Sequence, residues 1–103
     1  MRTLIVIAKV KFPMGKAQQA AEVYAKVMSE RPVPDGIKHI GPFIKSTLED
    51  GIVTISFYEV EEGKEIEALK YANELEIQFR GIEGYAYQVD IYYTVEEALA
   101  LLV

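Results

Sequence analysis

Cysteine and tryptophan are absent from this sequence, histidine occurs once, and the apolar runs are short. Each absence excludes a chemistry. Without cysteine there are no disulfides, thiolate metal sites, thiol nucleophile or iron–sulfur cluster, which fits a reducing compartment. The single histidine, His39, makes no multi-histidine metal centre within one chain. We therefore expect no cofactor and no metal. The apolar run from Leu4 to Ala8 is closed by Lys9 and Lys11, too short for a signal-peptide core or a bilayer span. The expectation is a cytoplasmic protein with no membrane partner. Positive charge is also scarce: 11 Lys and Arg against 16 Asp and Glu leave a formal charge of -5. A field of that sign repels phosphate backbones, so no nucleic-acid partner is expected.

What is present suits one globular domain over residues 1–103, half hydrophobic and 26% charged. A chain of this length buries roughly two-thirds of its extended surface, enough for an ordinary core. Charge is uneven along it. Residues 1–50 carry +3 and residues 51–103 carry -8. This asymmetry suits either a basic face meeting an acidic partner or second copy, or two differently solvated surfaces mixed by folding.

Alternation over residues 3–12, with Leu4, Val6, Ala8, Val10 and Phe12 on one side, predicts a strand whose first part is apolar on both faces. After Pro13 and Gly15, Ala17, Ala20, Ala21, Tyr24, Val27 and Met28 recur at helical spacing over about 16–30. Pro32 and Pro34 end that helix. Residues 37–48 read as a strand interrupted by Gly41-Pro42, hence an edge strand with a kink or bulge. Asp50-Gly51 then predicts a hairpin into a third strand, 52–60. Ile66, Leu69, Ala72, Leu75 and Phe79 predict a helix over about 64–80, and residues 82–93 a fourth strand. Thr94 and Glu97 form a capping box ahead of a short apolar helix containing Ala98, Leu99, Leu101 and Leu102. So short a helix needs something to dock on.

Strand-helix-strand-strand-helix-strand is the split βαβ order of ferredoxin-like folds, an α+β class with a four-stranded antiparallel sheet in order 4-1-3-2 and both helices on one face. The two-faced apolar strands leave the other face needing a cover. On element order, length and those strands, the chain from Thr3 to Leu102 resembles the dimeric α+β barrel superfamily. That resemblance implies a homodimer formed through the open sheet face, with the C-terminal helix as a clamp. The superfamily spans monooxygenases, haem-degrading enzymes, lactone isomerases and stress-responsive proteins, so it fixes no reaction. The Asn, Trp and His set of its haem-degrading members is not matched, since Trp is absent and the only Asn is Asn73.

No catalytic motif stands out, and the candidates are single residues. His39 is the one side chain whose ordinary pKa lies near neutrality, hence the candidate catalytic acid or base; otherwise it is an edge-strand histidine with no task. Thr54, Ser56 and Tyr58 share one face of strand three and are the candidate ligand-binding residues. Their hydroxyls would serve a ligand in a barrel mouth or between sheet and helices, or else satisfy neighbouring polar groups. Tyr85, Tyr87, Tyr92 and Tyr93 could likewise hold a planar molecule or fill an interface. Two functions follow: a homodimer that binds a small planar ligand or a partner without catalysis, or a cofactor-independent monooxygenase- or isomerase-like enzyme. The enzyme would act on an aromatic or lactone-like substrate with His39 as acid/base.

Overall fold

The computed structural model describes residues 3–102. In chain order it has β1 (Thr3–Phe12), a single 3-10 turn (Met14–Lys16), α1 (Ala17–Glu30), β2 (Ile37–Thr47), β3 (Gly51–Glu61), α2 (Glu65–Ile77), β4 (Ala86–Tyr93) and α3 (Val95–Ala100). The sheet order is β2-β3-β1-β4, with every neighbouring pair antiparallel. This is the ferredoxin-like α+β arrangement expected from the element order.

Strand alternation separates two faces. Leu4, Val6, Ala8, Val10 and Phe12 on β1 are buried, as are Ile52, Ser56, Tyr58 and Val60 on β3. Helix α2 covers this face with Ala68, Ala72, Leu75 and Glu76, and α1 with Ala20 and Val27. The burial spacing on α2 differs from the expected one: Ile66 is 79% exposed, while Glu76 is buried. Positions 68, 72, 75 and 76 form a tighter helical stripe than the one running through residue 66.

Two boundaries also move. Helix α2 ends at Ile77 and β4 begins at Ala86, so residues 78–85 are turns rather than helix end and strand start. Backbone amides of Phe79, Ile82 and Tyr85 each donate to the carbonyl three residues back, which winds the segment and sends Phe79 and Ile82 into the core. A strand would have thrown successive residues to opposite faces.

Strand β2 lies on the sheet edge, where a proline is tolerated. Its register against β3 shifts between Ile40 and Phe43, and the Gly41–Pro42 peptide is cis. The extra residue leaves Gly41 and Pro42 opposite Ser56 of β3. His39 precedes this bulge, paired with Tyr58 on the helix-facing side. Thr94 Oγ1 accepts the Glu97 amide at 3.1 Å, capping α3.

Candidate functional site

Between α1 and the sheet lies a cavity of about 500 Å³. Its origin is the small size of the residues on its facing walls. Helix α1 presents Ala17, Ala20 and Ala21, while β3 opposite presents Thr54 and Ser56. Side chains this short leave the space between helix and sheet unfilled. The bulged edge with Gly41 and Pro42 forms one side, and Phe12, Leu75, Phe79 and Tyr85 form the other. Tyr24 and Ile44, which also line the cavity, are exposed by 37% and 66% and mark its mouth.

All four residues singled out in the sequence line this one space: His39, Thr54, Ser56 and Tyr58. Pairing explains the grouping. His39 faces Tyr58 across β2 and β3, and Thr54 and Ser56 follow Tyr58 at two-residue spacing on the same side. Of the two locations left open by the sequence, they occupy the one between sheet and helices; Val53, Ile55 and Phe57 hold the opposite face.

The His39 ring stacks on Tyr58, with centroids 4.6 Å apart and planes 11° from parallel. Burial lowers the imidazole pKa below its ordinary 6.5, so the ring is neutral at pH 7. Its Nε2 is buried and makes no hydrogen bond among the described residues. Tyr58 is itself almost wholly buried; desolvation, reinforced by the nearby Glu76, raises its pKa and keeps the phenol protonated.

Glu76 of α2 is not among the candidate residues of the sequence. It lines the cavity with only 6% of its surface exposed. Tyr85 Oη donates to Glu76 Oε2 at 2.5 Å. The Tyr85 ring is held between Phe79 and Phe12, at centroid distances of 5.0 and 6.1 Å and nearly parallel to both. A fixed ring therefore orients the carboxyl group. Burial pushes the Glu76 pKa up, and the Tyr85 hydrogen bond offsets only part of that rise. Among the described residues no lysine or arginine lines the cavity. The signal available in the sequence was the spacing 68, 72, 75, 76, 79, which puts a glutamate within an apolar stripe.

The remaining tyrosines do not converge here. Tyr87 and Tyr93 lie on β4's helix-facing side, 40% and 54% exposed, and Tyr92 on the open side is 44% exposed. Gln88 and Asp90, also on the open side, hydrogen-bond each other at 2.7 Å.

No family model matches the chain, and no curated protein does. Solved structures with the same fold include a conserved protein from Methanosarcina mazei Go1, 18% identical, with a TM-score of 0.61 over 91% of this chain and 94% of that one. A candidate antibiotic biosynthesis monooxygenase from Nitrosomonas europaea aligns at 10% identity and a TM-score of 0.57, covering 91% of each chain. Another, from Bordetella bronchiseptica, aligns at 13% identity and 0.56, covering 92% of this chain and 99% of that one. Likeness at such low identity is likeness of fold. The ferredoxin-like architecture is shared, and the chemistry of each site is its own.

Proposed function

We propose that this chain is a homodimeric small-molecule-binding protein whose ligand enters the cavity beneath α1. The carrying observation is the cavity itself, which combines apolar walls with a few inward polar groups: His39, Thr54, Ser56 and Tyr58 from the sheet, Glu76 and Tyr85 from the opposite side. Its volume of about 500 Å³ lies within the usual range for small-molecule sites. A space between a sheet and a helix has two facing walls and favours a planar molecule. To test this, thermal shifts are measured with a panel of small aromatic and lactone-like compounds on the wild type, His39→Ala, Tyr58→Phe and Ala21→Trp. Ala21 is exposed yet lines the cavity, so tryptophan there blocks the space at little cost to the core. Ligand-induced shifts are expected to shrink in the first two variants and vanish in the third. Undiminished shifts in all three would place binding elsewhere.

A second reading is supported by the neutral His39, which lines the cavity and whose Nε2 has no hydrogen-bond partner among the described residues. On that reading His39 is the acid/base of a cofactor-independent isomerase- or monooxygenase-like reaction on an aromatic or lactone-like substrate. His39→Gln would then abolish turnover while leaving ligand binding measurable.

Dimerisation rests on the open sheet face. Ile5, Ile7, Ile40, Phe43, Val53, Ile55 and Phe57 form its centre, and none is buried within one subunit. Lys9, Lys11, Lys38, Lys45, Glu59 and Asp90 surround them with both charge signs. An apolar centre with a mixed-charge rim suits a self-complementary interface. Helix α3, with Val95 75% and Leu99 56% exposed, supplies further apolar surface.

A further inference from the structure

Glu76 stands out within the cavity because no group of opposite charge accompanies it among the described residues. His39, Thr54, Ser56, Tyr58 and Tyr85, which also line the space, are neutral at pH 7, and no lysine or arginine reaches it among the described residues. A carboxyl group taken out of water without a counter-ion is costly in its charged form, whereas an ion pair with further hydrogen bonds recovers much of that cost. Tyr85 already supplies one hydrogen bond, to Oε2, from a ring fixed between Phe79 and Phe12.

Resting on the ligand-binding reading above, we propose that the cavity selects organic amines, with the Glu76 carboxylate pairing the ligand's ammonium group and the apolar and aromatic walls taking its planar body. The ammonium donates hydrogen bonds to the carboxylate, and Tyr85 holds that acceptor in place. Aromatic lining favours a cation over an anion, since ring faces carry negative potential. The net charge of -5 acts in the same sense at long range, attracting cations and repelling carboxylates. Thr54 and Ser56, on the wall formed by β3, offer hydroxyls to a second polar group on the ligand.

Three probes sharing one ring and one chain length isolate the charge: 2-phenylethylamine, 2-phenylethanol and phenylacetate. Calorimetric titration of the full chain at pH 7 is expected to show the amine binding about tenfold or more tighter than the alcohol, with phenylacetate weakest. Glu76→Gln keeps the shape and removes the charge. It is expected to lower amine affinity about tenfold and leave the alcohol nearly unchanged. Glu96→Gln, on exposed α3, makes the same change in net charge away from the cavity and is expected to leave both affinities alone. Circular dichroism verifies the fold of each variant; Tyr85→Phe, which keeps the ring, provides a second route and is expected to weaken amine binding selectively.

Equal affinity for amine and alcohol would overturn the amine assignment while leaving the cavity as a binding site. So would amine binding that both Glu76→Gln and Tyr85→Phe leave intact. Should no ring probe bind and no compound of the wider panel shift the melting temperature, the binding reading fails together with it.

Discussion

His39 and Glu76 face the same cavity and respond to pH in opposite directions. Burial holds the folded imidazole below its ordinary 6.5, so the unfolded chain takes up that proton first as pH falls. The His39 contribution to stability is therefore full above 6.5 and is lost as pH falls from there through the folded value. Glu76 has a folded pKa raised above its ordinary 4.5. Its unfolded form releases the proton first as pH rises, so stability is lost between 4.5 and the raised value and regained on acidification. Tyr58, Tyr71 and Tyr85, with pKa values raised by burial, stay protonated throughout this range. Urea midpoints at about pH 7.5 and about pH 5.5 should thus separate the two groups. His39→Phe is expected to make the change on acidification more favourable than in wild type, and Glu76→Gln to make it less favourable. Identical pH slopes in all three proteins would remove both residues from the linkage.

At the scale of elements, the β2–β3 hairpin depends on one glycine. Leu48, Glu49 and Asp50 form the turn, Thr47 Oγ1 accepts the Asp50 amide at 2.9 Å, and Gly51 has φ 71. A Cβ at Gly51 would stand 2.6 Å from the Phe12 carbonyl oxygen, a backbone atom of the neighbouring strand. Gly51→Ala therefore combines left-handed strain with a clash. We expect a loss of about 2 kcal/mol or more, read as a fall in melting temperature on the order of 10 °C. A variant melting with the wild type would show that this turn relaxes freely. The hairpin, the edge bulge at Gly41-Pro42 and the Thr94 cap were all legible in the sequence, because each depends on residues adjacent along the chain. The face of α2 was harder to read, since Ile66 fits a helical period as well as Ala68 does. Only the sheet beneath the helix decides between them.

For the whole molecule, the decisive feature is a sheet covered by helices on one side only. Light scattering at micromolar concentration is expected to give twice the 11.6 kDa of one chain. Phe57 lies near the centre of the open face and contacts Phe43 edge to face, with ring centroids 6.2 Å apart. Phe57→Lys would place a charge amid the apolar residues, and we expect it to yield monomers with unchanged helix content, because the helix-facing core does not include this position. A wild-type monomer would show that the open face is not an interface between copies. If the amine assignment holds, binding should survive in this variant, since the cavity lies on the opposite side of the sheet.

The sequence by itself determined the element order, the edge position of β2 and the division of β1 and β3 into two faces, because hydrophobic periodicity and turn chemistry are local. It also placed Thr54, Ser56 and Tyr58 on one side of β3, since alternation along a strand requires nothing distant. Which side of the sheet the helices would cover was a tertiary outcome, set by how α1 and α2 pack across β1 and β3. The same packing brought Glu76 of α2, Tyr85 of the following turn segment and His39 of β2 to one cavity. A carboxyl group's solvation depends on what lies opposite it in space. The alanines of α1 make room only because residues more than thirty positions away on β3 are also small, and no pattern along a single chain records that pairing.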